Sequence, residues 1–86
     1  MYILGDIGNS ETKVYLVNSK NKIIRNINFP SKQINNKILN QKFKYLIKDF
    51  KSIEKILFCS VVPKSFNLIK KFLSKKTKKK CYEVKD

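Results

Sequence analysis

Met1-Tyr2-Ile3-Leu4-Gly5-Asp6-Ile7-Gly8-Asn9-Ser10-Glu11-Thr12-Lys13 is the stretch whose reading decides the fold. Tyr2 to Ile7 is a short, mostly apolar run before Gly8, the pattern of a buried strand. Both glycines of the chain, Gly5 and Gly8, fall inside the stretch, and glycine is placed where backbone bends sharply or approaches a ligand closely. Lys13 to Asn18 then alternates, with Val14 and Leu16 to one side and Lys13, Tyr15 and Val17 to the other. A period of two predicts that the loop leads into a second strand.

Working outward, Asn18-Ser19-Lys20-Asn21 is turn material, and the Ile-rich run Lys22 to Phe29 alternates again until Pro30 ends it. Three consecutive antiparallel strands are expected. Ile34, Ile38, Leu39, Phe43, Leu46, Ile47 and Phe50 then recur at helical spacing, with Lys37, Lys44, Lys48 and Lys51 on the opposite side. Lys55 to Val62 is near-continuously apolar, which suits a strand buried on both faces. Pro63 stops that strand, and Ser65 is positioned to cap a second helix with the stripe Phe66, Ile69, Phe72 and Leu73. Lys75 to Lys80 reads as a basic connector and Cys81 to Val84 as the start of a last strand. The order is βββαβαβ. Its two helix crossovers imply an α/β fold, a mixed sheet with parallel pairs beside an antiparallel hairpin. Asp86 follows directly on a strand with no helix to cover it, so the chain reads as the front part of a longer protein.

Composition limits what such a domain does. Eighty-six residues make one domain with a thin core, and 42% hydrophobic content argues against a disordered tail. The net charge is +14, yet Arg25 is the only arginine among 20 basic residues. Lysine is a flexible point charge and arginine the bidentate reader of phosphates and bases, so the charge is read first as compositional, alongside the many Ile and Asn. The chain has no histidine and two cysteines, Cys59 and Cys81, which excludes His-containing and all-Cys zinc sites. Both thiols are expected to be buried or neutral in a reducing compartment, with Cys59 in the core, and the Phe and Tyr residues are also read as core. No signal peptide or apolar run long enough to span a bilayer occurs in the sequence, so a cytoplasmic protein without membrane contact is expected.

The opening loop carries the chemistry. Backbone N–H groups from Gly8 to Ser10 could point into one concavity for anionic oxygens. Asn9 and Ser10 add neutral hydrogen-bonding groups, and Lys13 brings an ammonium. Asp6 would repel phosphate unless Mg²⁺ lay between them, and Mg²⁺ favours one or two carboxylates plus substrate phosphates. Neither a G-x-x-x-x-G-K-[ST] loop nor a G-x-G-x-x-G turn is present. On this chemistry alone, a phosphate hairpin and a plain turn with Gly8 left-handed stand level.

Asp6-Ile7-Gly8-Asn9-Ser10 followed by Lys13 resembles the first phosphate motif of the acetate and sugar kinase, chaperone and actin superfamily. More narrowly, it resembles the opening of type III pantothenate kinases, Asp-x-Gly-Asn-Thr and then Lys or a similar residue. Ser60-Val61-Val62-Pro63 matches a second segment of the same family. The resemblance covers all 86 residues. It implies a ribonuclease-H-like fold, duplicated in the complete protein, of which residues 1–86 are a truncated first domain without the second. It also implies that Asp6, Ile7, Gly8, Asn9, Ser10, Glu11, Thr12 and Lys13 form the ATP-phosphate loop, with Asp6 contacting a metal indirectly through the phosphates. Ser10 stands where the family usually has Thr and keeps the hydroxyl. The implied activity is ATP-dependent phosphorylation of pantothenate to 4′-phosphopantothenate, the first step of coenzyme A biosynthesis. Mg²⁺, a monovalent cation (K⁺ or NH₄⁺) and a homodimer come with it. The family's catalytic base lies in a later Gly-x-Asp-Arg segment that this chain does not contain, so the piece alone is expected to be inactive.

Two rival readings remain. Lys75-Lys76-Thr77-Lys78-Lys79-Lys80 would suit a small basic nucleic-acid-binding domain, although a solvated connector accounts for it more simply. A superfamily kinase acting on a sugar or other small alcohol is the second, and Asn9 is the discriminating residue. Ser60 is read as making a local backbone bond and Pro63 as a strand stop and helix start.

Overall fold

The computed structural model describes residues 1–84. β1 (Tyr2–Ile7), β2 (Glu11–Val17) and β3 (Ile23–Pro30) form an antiparallel meander. Helix α1 (Asn36–Leu46) crosses to β4 (Lys55–Ser60), and α2 (Pro63–Thr77) crosses to β5 (Cys81–Glu83). The five strands lie in the order β3-β2-β1-β4-β5, with β1–β4 and β4–β5 parallel. This is the βββαβαβ mixed α/β sheet expected from the sequence. Lys85 and Asp86, the end of the expected domain, lie outside the described residues.

Both helices cover the same face. Each crossover joins parallel strands and advances in one direction across the sheet, and right-handed crossovers of that kind stack their helices on one side. One core results: Ile3, Ile7, Val14, Leu16, Ile27, Phe29, Ile56 and Phe58 from the sheet meet Leu39, Phe43, Leu46, Phe66, Ile69 and Leu73 from the helices. The opposite face is open, and Leu4 and Tyr82 are exposed on it. Across β1 and β4, Gly5 lies beside Phe58, and a Cβ built on Gly5 would overlap the Phe58 ring. Gly5 therefore makes room for an aromatic core residue.

The open face corrects the strand expected to be buried on both faces. Burial alternates along β4: Ile56 and Phe58 are buried, while Lys55 and Cys59 are exposed. Cys59 is thus a surface thiol, and Cys81 alone of the two is in the core. Burial holds the Cys81 thiol above its ordinary range, opposed by a Ser74 hydrogen bond and the Lys70 charge. Four phenylalanines are in the core, but Tyr45 and Tyr82 are exposed. Val17, expected on the outer side with Lys13, is buried beside a register shift between Leu16 and Val17.

Helix bounds differ for local reasons. Asn35 caps α1, its side chain accepting from the Ile38 N–H at 2.9 Å, so Ile34 lies before the helix. Phe50 belongs to a separate 3-10 turn, Phe50–Ser52. Ile34 and Phe50 still pack on the core. Ser65 does not cap α2: the helix starts at Pro63 behind Val62, and Ser65 is buried within its first turn. Lys75 and Lys76 are not connector residues but the last turn of α2, which ends at left-handed Lys78.

Candidate functional site

β1 is where the sheet changes sense, antiparallel to β2 on one side and parallel to β4 on the other. Ligands of open α/β sheets bind outside the carboxyl ends of strands at such a point. The Gly8–Ser10 loop stands at that end of β1. The Gly8 N–H donates to the Glu11 carbonyl at 3.0 Å and closes the turn, so it is not one of the expected anion donors. The N–H groups of Asn9 and Ser10 have no acceptor among the described residues, and both residues are exposed. No residue of the loop has positive φ, so Gly8 is not left-handed. A Cβ on Gly8 would sit 3.2 Å from the Glu11 carbonyl oxygen, tighter than ordinary contact.

Strand register gathers the charged residues. Asn28, Lys13, Asp6 and Cys59 are successive partners across β3, β2, β1 and β4, all exposed on the open face. Asp6 and Lys13 are directly opposite each other, and such cross-strand pairs place side chains within reach of a shared ligand. Neither forms an ion pair among the described residues. The side chains of Ile7 and Thr12 point the other way and are fully buried, so those two residues support the loop from the core side. Glu11 is exposed at the start of β2.

The Ser60–Pro63 segment reaches the same end. The Val61 N–H donates to the Ile7 carbonyl at 3.0 Å, extending the β4–β1 ladder up to the loop. The Ser60 hydroxyl bonds locally, donating to the Val62 carbonyl and accepting from its N–H, both at 3.0 Å. Helix α2 begins there without a side-chain cap, its positive end beside the loop. Its Lys-rich C-terminal turn is roughly 20 Å away at ~1.5 Å per residue, too far to serve the loop.

Among the described residues, no group of three or more His, Cys, Asp or Glu gathers to hold a metal by itself. One carboxylate beside free N–H donors and an ammonium fits a cation held mostly by substrate phosphates. Sequence reading missed Ser31. It follows β3 in a short 3-10 turn and bonds to the loop from behind through both its side chain and its backbone. The only hint in the sequence is a hydroxyl residue directly after a strand-ending proline.

The fold is α/β, a mixed five-stranded sheet with the candidate site at the end of its central strand. The sequence profile described as Type III pantothenate kinase matches residues 2–86, and the chain belongs to that family. It is 54% identical over 85 residues to a type III pantothenate kinase of Pelagibacter ubique (strain HTCC1062), a match covering 99% of this chain and 34% of that relative. The chain therefore spans about a third of the relative's length. No helix among the described residues is long and apolar enough to cross a membrane.

Proposed function

We propose that this chain is the first, ATP-phosphate-binding domain of a pantothenate kinase, which transfers the γ-phosphate of ATP to the 4′-hydroxyl of pantothenate. The observation that carries the reading is the meeting of two separate motifs at one end of the sheet. Asp6 and Lys13 face each other there beside free loop N–H groups, and Val61 ties the Ser60–Pro63 segment to β1. Asn9 and Ser10 offer backbone donors to phosphate oxygens, and Lys13 offsets their charge. Mg²⁺, when bound, would neutralise charge between the phosphates and Asp6.

The chain supplies positioning and part of the charge neutralisation, and no base that orients the acceptor hydroxyl. Pantothenate, a monovalent cation and a second subunit would engage parts of the complete protein beyond residues 1–86. A cytoplasmic location suits a soluble substrate and ATP. Steady-state assay with ATP and pantothenate tests the reading: the complete protein forms 4′-phosphopantothenate, and the 86-residue chain alone does not. Turnover of a sugar in place of pantothenate would move the protein to another kinase of the superfamily.

A further inference from the structure

Ser31 makes four hydrogen-bonded contacts, two of them to loop carbonyls. Its hydroxyl donates to the Gly8 carbonyl at 2.7 Å. Its N–H donates to the Ser10 carbonyl at 3.0 Å. The Thr12 hydroxyl lies 2.8 Å from the Ser31 hydroxyl oxygen, and the Ser65 hydroxyl donates to the Ser31 carbonyl at 3.5 Å. Since the single Ser31 proton lies on the Gly8 carbonyl, Thr12 is the donor of the pair. Thr12, Ser31 and Ser65 are all buried, the first completely.

The loop needs this support. Short hairpin connections usually take turns with positive φ, which match the twist of their strands. Here no loop residue has positive φ, and one bond, Gly8 N–H to the Glu11 carbonyl, closes the turn from within. The carbonyls of Gly8 and Ser10, flanking the free N–H groups, are instead both taken by one residue on a different strand end. A peptide plane whose carbonyl is held toward the protein presents the following N–H outward. Holding the Gly8 carbonyl aims the Asn9 N–H, and holding the Ser10 carbonyl fixes the far side of the turn.

We infer that Ser31, oriented by Thr12, is a positioning residue that sets the loop N–H groups in their anion-binding arrangement. The inference rests on the phosphate-loop reading above. Ser31 is buried behind the loop and acts through the Gly8 and Ser10 carbonyls. Preorganised donors bind phosphate without first being ordered, so loss of the clamp weakens binding more than it disturbs the core.

The test uses the 86-residue chain, inorganic tripolyphosphate with Mg²⁺, and backbone amide shifts read by ¹⁵N–¹H NMR. The parent chain shows saturable shifts at Asn9, Ser10 and Lys13. Ser31→Ala weakens that binding about tenfold, as loss of one well-placed hydrogen bond does, and Ser31→Thr restores it to within about twofold. Thr12→Val against Thr12→Ser repeats the comparison from the other end, and decides the matter if Ser31→Ala does not fold. If the parent shows no loop shifts, the phosphate-loop reading fails and the inference falls with it. If the parent binds and the Ala and Val variants bind equally well while melting earlier, the hydroxyl pair is structural only and the positioning role is overturned.

Discussion

Gly5→Ala is expected to be among the most damaging single substitutions in this chain. Gly5 and Phe58 are partners across β1 and β4, and an added Cβ falls onto the Phe58 ring atoms Cδ1, Cε1 and Cζ. Phe58 is fully buried and its ring centroid is 6.2 Å from that of Phe66, so the ring cannot swing aside without displacing a neighbour. Overpacking costs about 1–3 kcal/mol, and partial exposure of the displaced ring adds on the order of 1 kcal/mol, giving ~2–4 kcal/mol. At ~0.05–0.15 kcal/mol per residue the whole domain holds only about 4–13 kcal/mol. The melting temperature should fall by roughly 8–30 °C, at ~4–8 °C per kcal/mol. Urea unfolding followed by circular dichroism measures the change as a shift in midpoint at unchanged slope. Phe58→Leu in the same chain should relieve the clash, so that the double variant is more stable than the two single costs predict by ~1 kcal/mol or more. Strictly additive costs, or a Gly5→Ala variant within ~0.5 kcal/mol of the parent, would refute the packing role of Gly5.

Other expectations follow from the same geometry. A thiol reagent should label exposed Cys59 rapidly and buried Cys81 slowly. Mg²⁺ and ATP should slow the Cys59 reaction, because Cys59 neighbours Asp6; equal rates with and without nucleotide would place the ligand elsewhere. The folded Cys81 pKa is raised, chiefly by burial. The unfolded chain then releases this proton first, and stability is lost as pH rises above ~8.5 toward the folded pKa. Cys81→Ala should flatten that part of the pH–stability profile, and an unchanged slope would exclude Cys81 as its source. Asn35→Ala removes the cap accepting from Ile38 and should cost about 1 kcal/mol in urea unfolding, whereas no change would show that the cap contributes nothing.

Much of the fold was legible because the strands and helices bury one face each and so print their periods on the sequence. Val14, Leu16, Ile27 and Phe29 alternate as expected, and Leu39, Phe43 and Leu46 keep their stripe. The apolar run through Cys59 misled because hydropathy reports an apolar neighbourhood and does not say which face of a sheet is covered. Crossover handedness places both helices on one side, and that argument would have exposed Cys59 beforehand. Asn35, the observed cap of α1, was not singled out, because the apolar period runs through it from Ile34 to Phe50 without a break. Gly5 lay in the signature stretch, and only the β1–β4 register reveals its partner Phe58. Asp6 and Lys13 were read from the sequence, while their placement opposite each other needed the strand pairing. Beyond its place after Pro30, nothing local marked Ser31, because its partner Gly8 is 23 residues away and no local pattern encodes a tertiary hydrogen bond.

The central claim is that Asp6 organises transferred phosphate from an exposed position where its side chain has no ion pair among the described residues. Asp6→Asn in the complete protein tests it most directly, with kcat for pantothenate phosphorylation read beside the circular dichroism spectrum. Removing a charge that acts on the reacting phosphates should lower kcat about a hundredfold or more, with fold and melting temperature unchanged. Turnover equal to that of the parent protein would contradict the account.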